Sequence, residues 1–238
     1  MSMERINPDD IEIAYEVTGD QTLQLHLERY RYAGQYLLPG TVADIACGTG
    51  YGSYLLATAY GKEVTQIIAG DIDETTIAFA RTRYQHPLIR FMVMDALCFE
   101  AGIALNNIIS LETIEHLPNP AAFVQHASKQ LVKGGRFITS APVTPSMDAN
   151  PYHLHDFTAA SFRKMFINAG LKEVRSFIQL QPYHPLPLLQ RKEERSKDLR
   201  RNILRYYLTH PGKFFLRIFS LLRDGFTNKY LVVVFEKL

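Results

Sequence analysis

Four groups of residues in this 238-residue chain have the types and spacing that chemistry needs. The first is the stretch Thr-Val-Ala-Asp-Ile-Ala-Cys-Gly-Thr-Gly-Tyr-Gly-Ser at 41–53, in which Asp44 stands four positions before Gly48 and six before Gly50. Glycine has no Cβ, so it turns the backbone sharply, takes φ > 0 without strain and lets a ligand come close to the chain. A nucleotide-like ligand in such a crook meets free N–H groups at the start of the following helix. The second group is a pair of acids behind apolar runs, Asp71 after 65–70 and Asp95 after 88–94. A carboxylate so placed accepts hydrogen bonds from vicinal hydroxyls or from an exocyclic amine. The third is Glu112-Thr-Ile-Glu115-His116-Leu117, and the fourth Asn150-Pro-Tyr-His153-Leu-His155-Asp156. Histidine titrates near pH 6.5 and can take a proton from a reacting hydroxyl or amine.

Two ligands suit the glycine turn. A dinucleotide fingerprint is G-x-G-x-x-G/A with an acid about 20 residues on. Here Gly48-x-Gly50 is followed by Gly52 and then Ser53, so the third position fails, and that rule does not ask for an acid such as Asp44. The stretch resembles instead motif I of the class I S-adenosylmethionine (SAM)-dependent methyltransferases, [DE]-x-G-x-G-x-G, with Ala46 in place of the first glycine. Asp71, the Asp95-Ala96-Leu97 phrase and Glu112-x-x-Glu115-His116-Leu117 agree with that family in order and spacing. Asn106-Asn107 departs from it, standing where the family usually has Phe-Asp.

The resemblance covers roughly residues 22–180 and the last strand. It implies S-adenosyl-L-methionine as cofactor, held through Tyr30, Asp44, Ala46, Cys47, Gly48, Gly50, Asp71, Ile72, Asp95, Ala96, Leu111 and Glu112. The bend past Asp44 would take the amino-acid half, Asp71 the ribose and Asp95 the adenine amine. Arg29 or Tyr30 could reach the methionine carboxylate, or the helix that carries them simply presents a charged face to water. His116, His153 and His155 are the catalytic candidates, as bases, and His116 also reads as a packed histidine at a helix start. Asp73 reads better as a helix cap than as a ligand group. Cys47 reads as a small residue beside close-packed backbone rather than as a nucleophile. His153 and His155 offer two donors with only Asp156 nearby, so no metal is assigned.

The elements that must position these residues follow from the hydrophobic pattern. Leu23, Leu27, Tyr30, Gly34 and Leu37 share one face of a helix over 22–38. Strands are expected to end at Asp44-Ile45 and at Asp71, and to cover 88–94, 106–111, 136–141, 171–181 and 230–235. Helices are expected from Tyr54, over 74–84, from the Asn119 cap to Lys133 before Gly134-Gly135, and from the Thr158 cap to Ala169. Phe157 and Phe162 have the spacing of a hydrophobic staple. Alternating strands and helices mean a parallel sheet covered on both faces, with ligands beyond the carboxyl ends of its strands. The fold class is therefore α/β: a Rossmann-like doubly wound sheet of seven strands, mostly parallel with the last antiparallel. One domain spans 1–238, with an N-terminal helical cap at 1–38 and a basic helical insertion at 182–229.

The insertion holds Pro182, Pro185 and Pro187, then Arg191, Lys192, Arg195, Lys197, Arg200, Arg201 and Arg205, then the apolar run 214–222. It reads as a helical cover with a solvated basic face, or as a surface for an anionic membrane or substrate. Net charge +2 argues against bulk nucleic-acid binding. The polar first residues are no secretory signal, no apolar run nears the roughly 18 residues of a spanning helix, and two cysteines do not make a disulfide framework, so the cytoplasm is expected. The function implied is methyl transfer to an oxygen or nitrogen of a small-molecule or sugar-containing acceptor, of the kind found in bacterial glycan or natural-product pathways. An NAD(P)-dependent oxidoreductase and a non-catalytic SAM-binding protein stand as alternatives. Membrane contact through the insertion and homodimerisation stay open.

Overall fold

The computed structural model describes residues 17–183, 200 and 202–238, with side chains from residue 22. The arm around Glu4-Arg5 and Pro8 lies outside that range, as do Pro185, Pro187, Arg191, Lys192, Arg195, Lys197 and Arg201. Seven strands form one sheet: β1 (Gly40–Ile45), β2 (Val64–Asp71), β3 (Ile89–Val93), β4 (Leu105–Leu111), β5 (Leu131–Pro142), β6 (Leu171–Pro182) and β7 (Thr227–Lys237). Their order is β3-β2-β1-β4-β5-β7-β6. The first five are parallel, and β7 runs antiparallel to both neighbours, as expected. The helices among the described residues are α1 (Val17–Gln35), α2 (Tyr51–Tyr60), α3 (Glu74–Arg83), α4 (Pro120–Gln130), α5 (Ala159–Asn168), α6 (Ile203–Thr209) and α7 (Pro211–Asp224). Among the described residues no helix is long and apolar enough to cross a membrane.

Successive strand side chains point to opposite faces, which divides the interior into two cores. Ile108 and Phe137 meet Phe123 of α4 and Phe162 and Phe166 of α5 on one face. Ile109 and Ile138 meet Leu56 of α2 and Ile77 of α3 on the other. Strands covered on both faces have no wet side, hence their unbroken apolar runs. The caps form as expected: Asp73 accepts from the Thr76 N–H, Asn119 from that of Ala122 and Thr158 from that of Ser161. The Phe157 and Phe162 rings meet at 5.8 Å.

Some elements differ from the sequence expectation, and α2 opens at Tyr51 rather than Tyr54, with Gly50 as its N-cap. Helix α4 stops at Gln130 rather than Lys133, and Leu131 is already extended at φ −71°, ψ 142°. Leu131 is buried and pairs with Leu105 of β4. Core burial and strand pairing outweigh helix propensity there. Gly134, at φ 75°, therefore sits inside β5 instead of capping a helix. Of the basic residues named for the insertion, Arg200 and Arg205 are among the described residues. Lys213 of α7 points inward to Asp156 (2.6 Å) and Arg217 to Asp148 (2.8 Å from Nε), while Phe215, Phe219 and Leu222 are 68%, 62% and 82% exposed. Helix α7 thus turns cations inward and an apolar side to water, while Arg205 on α6 is exposed. An unpaired buried carboxylate costs more than a wet phenylalanine, so the cations go inward.

Helix α1 begins at Val17 and lies against β6 and α2. Its Tyr32 ring meets Phe177 at 4.5 Å, and Gln179 donates to the Leu25 carbonyl at 3.0 Å. Asn107 is wholly buried and bonds both the N–H and the carbonyl of Leu38 at 2.8 Å, while Asn106 accepts from the Thr41 N–H at 3.0 Å. That pair pins the approach to β1.

Candidate active site

The strand-end residues collect at the carboxyl edge of the sheet. Asp44 is the penultimate residue of β1, Asp71 the last of β2, Asp95 lies two past β3, and Glu112 follows Leu111 at the end of β4. Asp44 is 1% exposed and accepts from the Ser53 hydroxyl (2.5 Å) and from the Tyr30 hydroxyl (3.3 Å to each oxygen). Burial lifts its carboxyl from 3.8 to about 7; the two hydroxyls oppose the lift and Asp71 adds to it. Tyr30 packs where it does because residue 52 is glycine: a Cβ there would stand 2.0 Å from the Tyr30 ring.

Past Asp44 the chain passes through Ala46 at φ 59°, the left-handed region, which costs an alanine about 1–2 kcal/mol. Cys47 is buried, with its N–H on the Gly70 carbonyl at 2.9 Å. Gly48, at φ 56°, borders open space, with nothing within 4 Å of where a Cβ would lie. Gly50 is the N-cap of α2 and supplies no side-chain cap. Asp71 accepts from the N–H groups of Gly48 (3.1 Å) and Asp73 (3.0 Å), tying β2 to the glycine turn, and Ile72 beside it is 56% exposed. Asp95 is exposed and accepts from the Leu97 N–H at 2.9 Å, while Ala96 is buried. Glu112 is also left-handed, at φ 52°. Ser140 holds it there, donating its hydroxyl to Oε1 (2.6 Å) and accepting from the Glu112 N–H (3.1 Å). Strained residues of this kind gather where a site must keep an unusual shape.

Arg29 is 2% exposed. Its Nε donates to Gln179 Oε1 at 2.7 Å and its guanidinium lies 4.6 Å from the centre of the Tyr230 ring. Nη1 stands 3.7 Å from Glu112 Oε1 and has no hydrogen-bond acceptor. A buried cation with an unused donor is costly unless an anion completes it. Arg29 is therefore not part of a wet helix face, and of the two residues named for a carboxylate it is the one with a free donor, Tyr30 being spent on Asp44.

The histidines divide. His116 closes a 3-10 turn, Ile114–His116, with Nδ1 3.1 Å from the Tyr152 carbonyl. His153 packs edge-on against it at 4.7 Å between ring centres, with Nδ1 2.7 Å from Ser146 Oγ. Burial, then the charge of His116, holds His153 down at about 3, neutral but a weak proton acceptor. His155 turns away and places Nε2 2.9 Å from the Leu117 carbonyl. Asp156 faces Lys213 and the N–H groups of Ser146 and Met147. Donor atoms of Glu115, His116 and His153 all lie within 4.8 Å of one another. Ser53, Gln179, Ser140 and the placement of Glu115 were not singled out in the sequence; only Glu115 carried a signal, as part of its Glu-x-x-Glu-His phrase.

The family described as "Methyltransferase domain" matches residues 40–224. A "probable S-adenosylmethionine-dependent methyltransferase" of Mycobacterium tuberculosis is 30% identical over 177 residues, covering 66% of this chain and 62% of that protein. The chain thus spans under two thirds of that relative's length. A putative methyltransferase from Bacillus halodurans superposes with a TM-score of 0.67 at 17% identity, covering 89% of this chain and 98% of that one. The N-methyltransferase NodS of Bradyrhizobium japonicum, in complex with S-adenosyl-L-homocysteine, gives 0.59 at 13%, covering 97% and 93%. The chain belongs to the class I SAM-dependent methyltransferase family, which sets the dinucleotide-oxidoreductase alternative aside. The residues present fit SAM: an unfilled donor on buried Arg29 for a carboxylate, open space at Gly48, and acids at successive strand ends.

Proposed function

We propose that this chain transfers the methyl group of SAM to an oxygen or nitrogen of a small-molecule or sugar-containing acceptor. Arg29 with the Gly48–Gly50 turn and Asp44 would hold the amino-acid half, Asp71 and Ile72 the ribose, Asp95 and Ala96 the adenine, and Leu111 and Glu112 the edge between cofactor and acceptor. The sulfonium of bound SAM supplies a methyl group that is already electrophilic. The protein's share is to align the acceptor in line with it and exclude water, which can supply much of the barrier reduction. Where the acceptor carries a proton, His116 is the histidine to take it, because His153 is too weak a base near neutral pH. The exposed stripe on α7 supports a contact with a membrane surface, and thiols rather than a disulfide at Cys47 and Cys98 fit a cytoplasmic setting.

One observation carries the cofactor reading: the unfilled Nη1 of Arg29, buried beside Glu112. Calorimetry with S-adenosylhomocysteine tests it. Binding at one per chain is expected, with none of NAD. Arg29→Met, folded by circular dichroism, should weaken it roughly tenfold to hundredfold, the worth of one charge-assisted hydrogen bond at about 1.5–3 kcal/mol. Absent binding to the intact chain overturns the assignment. Labelled methyl transfer to a panel of hydroxyl and amine acceptors separates an enzyme from a SAM-binding protein without turnover.

A further inference from the structure

Glu115, His116 and His153 come from two separate segments, yet one donor atom from each lies within 4.8 Å of the others. Around a cation with bonds of about 2.1 Å, ligand atoms stand roughly 3–4 Å apart, so small side-chain rotations close the set. The protonation pattern is already that of ligands. The Tyr152 carbonyl can only accept, so His116 Nδ1 carries the proton and Nε2 keeps its lone pair. His153 Nδ1 faces Ser146 Oγ, whose hydroxyl in turn points to Asp156 Oδ1 at 3.4 Å. A serine that donates to Asp156 accepts from His153, and His153 Nε2 is then the free nitrogen. Asp156 is itself fixed by Lys213 of α7 and by two backbone N–H groups. Metal-bound histidines are oriented in this way, with the far nitrogen donating to a carbonyl or toward a carboxylate. Glu115 is also anchored through its backbone, its carbonyl accepting from the Leu154 N–H at 2.8 Å.

We propose that Glu115, His116 and His153 bind one divalent cation of the zinc or cobalt class, leaving further coordination positions for an oxygen of the methyl acceptor. Two imidazoles and a carboxylate favour such borderline ions over magnesium, which prefers all-oxygen ligands. The cluster lies three residues along the chain from Glu112, beside the edge where the methyl group would sit. The acceptor role rests on the methyl-transfer reading; the cation site does not. With the cation bound, His116 is a ligand in place of the base role given above, and a hydroxyl on the cation becomes more acidic and gives its proton to solvent. Its oxygen pair then forms the O–CH3 bond while the S–CH3 bond breaks and its electron pair stays on sulfur, giving an ether and a neutral thioether.

The test uses tag-free, chelator-treated full chain titrated with Co2+, read by its visible absorption and by competition with Zn2+. One ion per chain is expected. His116→Ala and His153→Ala should each weaken it at least about tenfold, Ser146→Ala by about tenfold through loss of the supporting hydrogen bond, and His155→Ala not at all. Glu115→Gln, which keeps the side-chain volume, should weaken it without unfolding the chain. No stoichiometric Co2+ binding, or variants at 116 and 153 that bind as tightly as the His155 variant, overturns the site. S-adenosylhomocysteine binding, measured in parallel without metal, reports separately on the cofactor assignment.

Discussion

Asp44 joins the packing of the fold to its chemistry. Its carboxylate is buried beneath Tyr30 and Ser53, with Asp71 nearby as a like charge. The folded-state value of about 7 lies above the ordinary 3.8, so the folded chain holds a proton there that the unfolded chain releases between those two values. Stability from this group is therefore full below about pH 4 and is lost as pH rises to about 7, by an amount of order 4 kcal/mol at about 1.4 kcal/mol per unit. Urea unfolding of the ligand-free chain across that window should show the decline, and Asp44→Asn should flatten it. A ligand ammonium beside the carboxylate favours the charged form, so S-adenosylhomocysteine should bind more weakly below pH 7 and release a proton on binding. A flat pH profile in both measurements would remove Asp44 from the amino-acid half of the site. The acid and the glycines were legible in the sequence because their types and spacing carry the chemistry. Arg29 was named only beside Tyr30 and against a wet helix face, because its burial depends on Gln179 and Tyr230, some 150 and 200 positions away along the chain.

At the scale of elements, the strands and caps followed from local rules, and the exceptions arose where distant partners decided. Leu131 leaves its helix because β4 pairs with it, and no window around residue 131 contains that strand. Asn106-Asn107 read as a departure from the family pattern, and in the fold it clamps the segment between α1 and β1. Asn107 is 0% exposed and is the side-chain partner of both backbone groups of Leu38. Asn107→Ala would strip both of that partner, at roughly 1–3 kcal/mol for each group left buried and unsatisfied. For a chain of this size that is a fall of at least about 2–4 °C in Tm. Cofactor affinity well below the transition should hold, since the clamp lies at the opposite end of β1 from Asp44. Unchanged Tm would mean that water replaces the amide there.

Across the whole molecule, the insertion sets a charged inner face against an apolar outer one. Lys213 and Arg217 bolt α7 to Asp156 and Asp148, and Tyr207 of α6 donates to Asp148 as well. The outward stripe is then Leu204 and Leu208 on α6 with Phe215, Phe219 and Leu222 on α7, at helical spacing and 62–83% exposed. Seven Lys and Arg residues between 191 and 205 adjoin it in sequence, against three acids. An apolar stripe flanked by cations suits an anionic bilayer surface, where each nearby cation adds about 1 kcal/mol and each inserted side chain part of its roughly 1.5–3 kcal/mol of burial. The full chain should therefore co-sediment with vesicles that contain anionic lipid, less so with neutral ones, and release as salt rises. A variant with Phe215→Ser, Phe219→Ser and Leu222→Ser should keep its fold, since these side chains face water, and lose at least tenfold in vesicle affinity. Equal binding by that variant would exclude the stripe as the contact. If the intact chain is instead dimeric in dilute solution and the variant monomeric, the occupant is a second copy. The same bolts also hold Asp156, which accepts from the Ser146 hydroxyl that faces His153 Nδ1, so α7 is tied through one chain of contacts to His153.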